Sequence, residues 1–180
     1  MMKKAGETED SCSANTFQEL FYWASYEWEA IGDAAIPYLA KLLKHSCDGL
    51  RKGVIESLGR IASTQALKML QQYIRKGNDP VNLEFANLAL KRVDIVQRTK
   101  NKRYHVTTND WFILQGPKSG ALLTHIPKGT VVIGLRWNFP SPDHEEGPKG
   151  GIAIFDFIKI VDTGQTGFFS RVGNNAIWII

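Results

Sequence analysis

Apolar residues in this chain recur every three or four positions as far as Val93. Beyond residue 104 they crowd into short runs fenced by Gly, Pro, Asn and Asp. The first spacing is that of a helix face and the second that of short strands between tight turns. At 180 residues the chain is long enough for one large domain or two small ones. The change of period predicts two: an α+β protein with a polar tail (1–15), a helical part (16–93), a basic joint (94–103) and an all-β part (104–180).

The helical part opens on "NTFQELFYWASYEWEAIG". Thr16 followed by Glu19 fits a capping box, in which hydroxyl and carboxylate satisfy free backbone N–H groups reciprocally. Phe17, Leu20, Phe21, Ala24, Trp28 and Ile31 fall on one helical face, and Gly32 can end the helix. "AIPYLAKLLK" and "LRKGVIESLGRIA" then give two more amphipathic helices, with Pro37 tolerated in a first turn. Both return about 31 to 32 residues later. Leu67, Leu70, Tyr73 and Ile74 stand where Ile36, Leu39, Leu42 and Leu43 stood, and Ala86, Leu90, Arg92 and Val93 where Val54, Leu58, Arg60 and Ile61 stood. That period marks stacked helical hairpins. Over residues 33–93 these segments resemble HEAT repeats, particularly the short kind of phycobilisome-lyase-like proteins. Asn82 departs from the pattern, standing near where Arg51 stands in the first copy. The resemblance implies a protein-binding scaffold, since a minority of such repeats hold nucleic acid or act in enzymes. Two repeats leave exposed ends, and the first helix can cap one. Its second aromatic set, Tyr22, Trp23 and Tyr26, either packs on the C-terminal part or offers a partner surface, Trp and Tyr being common interface anchors.

In the second half, "RYHVTT", "DWFILQ", "ALLTHI", "TVVIGLRW", "GIAIFDFIKIV", "TGFFSR" and "AIWII" are seven strand candidates, and "DTGQTG" is a tight-turn signal. Their number and brevity predict a sandwich or barrel. Gly116, Pro117, Gly129, Thr130, Gly164, Thr166, Gly167 and Phe168 follow the order of turn residues in the bacterial SH3 (SH3b) domain, which residues 104–180 resemble. The resemblance implies an SH3-like β-barrel. Leu114 stands where that family often has Arg, and Phe157 where it often has Trp. Between the fourth and fifth candidates lies "NFPSPDHEEGPKGG", a long loop in expectation. Trp137 and Phe139, beside Pro140 and Pro142, are candidate anchors for an apolar group of a partner. Asp143, Glu145 and Glu146 around His144 would steer its basic groups. The alternative is a solvated loop with both rings tucked onto the barrel.

The net charge of +4 is mild, and +3 of it sits in "DIVQRTKNKR", a connecting stretch. A nucleic-acid-binding face would spread its charge along an element. Cys12 and Cys47 make no disulfide framework and are expected as free thiols in a reducing compartment. "MMKK" is followed by no apolar stretch of a signal peptide, and no run approaches a membrane span, so the reading is cytoplasmic with no membrane partner. His45, His105, His125 and His144 are scattered, "GPKGG" lacks the ending of a phosphate loop, and no GxSxG occurs. No catalytic residue, metal or cofactor is assigned. The expected role is non-catalytic recognition of another protein, as an adaptor, inhibitor or immunity-type partner. Peptidoglycan or stem-peptide binding is the alternative, and nucleic acid a third, disfavoured one.

Overall fold

The structure, a computed structural model, describes residues 24–118, 120–146, 151–170 and 179–180. The chain divides into two compact units, Met1–Lys100 and Asn101–Ile180. Tyr22, Trp23, Cys12 and the Thr16–Glu19 capping box lie outside the described residues.

In the first unit residues 24–31 are helical, and a 3₁₀ turn, Gly32–Ala35, leads into α1 (Ile36–Leu42). Gly32 takes φ +69, which lets the chain leave the leading helix. Ile31, expected on the core face, stands 52% exposed at this helix end. Then come α2 (Asp48–Ile61), α3 (Thr64–Lys76) and α4 (Pro80–Thr99). Their starts follow from side-chain caps: the Cys47 sulfur accepts the Leu50 N–H, the Ser63 hydroxyl that of Ala66, and Asp79 that of Asn82. α4 continues through residues 94–99, and Lys100 closes it at φ +55.

α2 is the central member, packed by α1, α3 and α4. Residues 53–62 are all buried, the polar side chains of Glu56, Ser57 and Arg60 included. Burial strands the carbonyls of its last turn, which an exposed helix would leave to water. Arg92 of α4 answers that demand: its guanidinium donates to the carbonyls of Gly59 and, at 3.0 Å, Arg60. Gln97 donates to the carbonyl of Ala62. The donor thus comes from the residue that repeats Arg60 itself. A cation at the C-terminal end of a helix is also favoured by the helix dipole. Burial lowers the Arg92 pKa to about 10.

A second link joins the N-terminal ends of α2 and α4. Asp79 accepts from Arg51 Nε at 2.6 Å, from Asn82 Nδ2 at 3.0 Å and from the Tyr73 hydroxyl, while Asn82 Nδ2 also donates to the Asp48 carbonyl. Arg51 further pairs with Asp48. The departure at Asn82 therefore has a use: with Arg51 already on the shared carboxylate, an amide fits where a second cation would repel. Burial alone would raise the Asp79 pKa, but the Arg51, Tyr73 and Asn82 donors outweigh it and hold the carboxyl well below the usual range. Burial and the bond to Asp79 push the Tyr73 phenol up to about 12.

The second unit is one antiparallel sheet of β1 (Tyr104–Val106), β2 (Trp111–Leu114), β3 (Leu122–Ile126), β4 (Val131–Pro140), β5 (Ile154–Ile160) and β6 (Thr166–Ser170), in the order β1-β4-β5-β6-β2-β3. Six of the seven expected segments are strands, and the end of the seventh adds a bridge, Thr107 to Ile179. The sheet is open rather than the closed barrel that the turn pattern suggests: β1 and β3 end its order. "IPKGT" earns its turn through Thr107, whose hydroxyl donates to the Pro127 carbonyl and accepts the Thr130 N–H, both at 2.9 Å. Gly129, at φ +81, brings its own N–H onto the Thr107 carbonyl. Ile113, Ile126, Val132, Ile158, Ile160 and Phe169 form the main core. Leu114, Ala153 and Phe155 form a smaller cluster with Phe139 and Phe168 against it. Strand alternation puts Phe155 and Phe157 on one face and Ile158 and Ile160 on the other, so both faces of β5 carry apolar residues.

β4 carries two register shifts, one on each side of Arg136. Asn138 absorbs the second at φ +57, and its N–H donates to buried Asp156 at 2.9 Å. The shifts turn Trp137 back onto its own strand. A Cβ added at Gly134 would lie 2.1 Å from the Trp137 ring, so glycine there is a matter of space.

Two outcomes follow. Gly134→Ala must displace the indole and should destabilise the sheet unit by about 1–3 kcal/mol, read as an earlier urea transition in Trp fluorescence. Asp79→Asn keeps an N-cap but removes the charge, and should cost the helical unit about 1.5–3 kcal/mol at pH 7. A depressed carboxyl pKa contributes stability above the unfolded value near 4 that is lost as pH falls through the folded value. The gap between wild type and Asp79→Asn, measured by urea unfolding at 222 nm, should therefore shrink from pH 5 towards pH 2.

Candidate functional site

The candidate anchors Trp137 and Phe139 lie in β4, not in a loop. Pairing resumes past the second register shift, Phe139 with Phe155 and Pro140 with Ile154. Ser141 N–H then donates to the Ala153 carbonyl and Ala153 N–H to that of Glu145, each at 2.8 Å, and Glu146 bridges Ile152. The expected loop is thus largely an arm of the β4–β5 hairpin. What the composition hid is that a single left-handed residue, Asn138, lets an interrupted strand resume its ladder.

Trp137 and Phe139 are both half-buried, on different packing duties. Trp137 packs against the main core and meets the His105 ring edge-on, centroids 5.2 Å apart. Phe139 meets Phe168 edge-on at 5.3 Å, and Phe168 lies 4.9 Å from Phe157. The Arg136 guanidinium sits 4.4 Å over the Phe139 ring. A cation so placed gains about 0.5–1 kcal/mol at a surface. Asp143 and Glu146 are exposed and Glu145 is half-buried, with His144 held at φ +53 between them. Ile152, across from Glu146, is 44% exposed. The arm therefore presents an apolar residue and carboxylates at its outer end, with the aromatic rings nearer its base.

On the helical unit, Tyr26 is half-buried and its ring receives the Arg60 guanidinium at 4.0 Å. Arg60 in turn donates to Glu56 Oε1 from Nε at 3.1 Å and Nη2 at 2.9 Å, and the Ser25 hydroxyl reaches the same oxygen at 3.3 Å. Burial pushes the Glu56 carboxyl up, with Arg60 and Ser25 pulling against it. Tyr26 thus closes a polar column inside its own unit. The sequence signal was the Glu56–Arg60 spacing of four, which puts an opposite-charge pair on one side of α2. Large apolar residues the sequence did not single out are exposed at Tyr38, beneath the Lys41 ammonium, and at Val81 and Phe112.

The expectation of a free thiol at Cys47 is overturned: this sulfur is disulfide-bonded. Among the described residues no three His, Cys, Asp or Glu side chains are placed to hold a metal ion, and no helix is long and apolar enough to cross a membrane.

Compared with known proteins, residues 22–91 match the family model described as HEAT repeats. No curated protein and no solved structure gives a match. The repeat spacing read from the sequence, the buried contacts between α2 and α4 and this match agree that the helical part is HEAT-like.

Proposed function

We propose that the chain is a non-catalytic recognition protein, an adaptor, inhibitor or immunity-type partner of another bacterial protein. The observation that carries this reading is the HEAT match over residues 22–91, because such repeats generally serve as interaction scaffolds. The partner surface is assigned to the β4–β5 arm, where Asp143, Glu145 and Glu146 flank exposed Ile152 and Phe139 lies towards the base. Tyr22, Trp23 and Tyr26 are the second candidate surface in this reading. The acidic tip favours a basic partner, whose approach would be speeded at low salt.

The SH3b-like reading of the sheet unit is supported by its turns, since Gly129 and Gly164 both adopt left-handed backbone at the positions that the resemblance singles out. A cytoplasmic setting belongs to the same reading, and it requires the Cys47 disulfide to exchange with the thiol pool.

The test is affinity capture from the native host with wild type, Phe139→Ala and the triple change of Asp143, Glu145 and Glu146 to Ser. The acidic triple variant is the cleaner probe, since its side chains are outside the aromatic packing. Capture should fall at least about tenfold for both variants, and the triple variant should lose the salt dependence of the wild type. Undiminished capture by both would remove the site assignment. Sedimentation of the wild type with purified murein would replace the reading by cell-wall binding.

A further inference from the structure

The two edges of the sheet are finished differently. β1 is not left open, because Val106 N–H donates to the Ile180 carbonyl at 3.1 Å, Ile180 N–H donates back at 3.0 Å, and Thr107 bridges Ile179. β3, at the other end of the order, pairs with β2 alone, so among the described residues its outer row of N–H and C=O groups meets no strand. Such an edge is a template for another extended chain, and proteins commonly blunt it with a charge or a proline inside the strand. "LLTHI" has neither. Its pairing with β2 shifts once, beside Leu114, and from Ile113 to Trp111 it runs in step with Thr124 to Ile126. Apolar surface lies along the same stretch. Leu122 is 58% exposed, and exposed Phe112 of β2 meets the exposed His125 ring edge-on, centroids 5.2 Å apart.

Charge selects what this edge accepts. Exposed Lys118 and Lys128 stand on either side of β3, and neither β2 nor β3 contains a carboxylate. Asp110 accepts the Lys128 N–H at 2.7 Å and offsets that end in part. A second copy of this chain fits badly. β3 paired antiparallel with itself about Thr124 would set Lys128 opposite Gly120 and Lys118 opposite Thr130, so at both ends a lysine of one chain would lie two positions from a lysine of the other.

We propose that β3 is a strand-addition site for an extended segment of the partner protein, apolar at its centre and carrying a carboxylate at each end. This rests on the reading of the chain as a recognition protein and adds a contact separate from the acidic arm. Main-chain ladder bonds hold the segment whatever its sequence. Leu122 and the Phe112–His125 pair offer it apolar contact, and the flanking lysines select its ends.

The probes are short synthetic peptides of alternating Val and Thr, one ended by Asp on both sides and the other by Lys. Each is titrated into the full-length protein at low salt and followed by backbone amide resonances. The Asp-ended peptide should shift resonances of β3 and its flanks, slow the hydrogen exchange of outer β3 amides, and bind at least about tenfold more tightly than the Lys-ended one, with the difference shrinking as salt rises. Leu122→Glu, at an exposed position, should weaken the Asp-ended peptide about tenfold, and Lys118→Glu should narrow the preference between the two. Because the probe needs no native partner, the result is independent of the capture experiment, and the variant with Asp143, Glu145 and Glu146 changed to Ser should bind it as the wild type does. No shift at β3, shifts centred elsewhere, equal affinity for the two peptides, undiminished binding by both Leu122→Glu and Lys118→Glu, or pairing of the protein with itself through β3 would each overturn the proposal.

Discussion

Burying every residue of α2 from Gly53 to Ile61 obliges the chain to supply hydrogen-bond donors inside its own core. An amphipathic helix can leave its last carbonyls to solvent, whereas α2 hands those of Gly59 and Arg60 to the Arg92 guanidinium. Removing such a donor from a buried site costs more than the bond itself contributes, because the carbonyls would stay dry and unpaired. The Glu29 carboxylate favours the cation brought in for this purpose, while the Arg60 charge works against it. Glu56, Arg60, Ser25 and Tyr26 form a line of paired charge and ring beside it, so the polar interior of the unit is a connected set.

The sheet meets a different constraint. Its strands are short, and apolar residues occupy both faces of β5, so a regular flat ladder would leave one of those faces uncovered. The two register shifts in β4 give curvature and re-aim side chains. Trp137 is spent covering Gly134 and the core, while the strand beyond it continues as an arm carrying carboxylates.

Much of this was legible. The three-and-four spacing located α1 to α4, and the starts of α1, α3 and α4 are ordinary Pro, Ser and Asp chemistry. Turn residues bounded the strands for the same kind of local reason. What the sequence left dark depends on partners distant in the chain. Asn82 looked like a lapse in the repeat until its amide was seen between Asp79 and the Asp48 carbonyl. "NFPSPD" reads as a loop, since nothing local says that Asn138 will take a left-handed turn and resume pairing. Cys47 looked like a stray thiol, although the turn that places it was correctly seen as a break between helices.

Asp79 and Arg92 fasten the two ends of one helical stretch to the same neighbour, α2. The angular phase between them is therefore fixed by their separation along α4. Gaining or losing one residue in that stretch would swing the guanidinium by about 100° around the helix axis, away from the carbonyls it serves. Residues 77–78, ahead of the cap, carry no such phase. Lineages related to this chain would then vary in length at that turn while keeping the interval from carboxylate to guanidinium constant, a spacing rule more diagnostic than the identity of any apolar residue between.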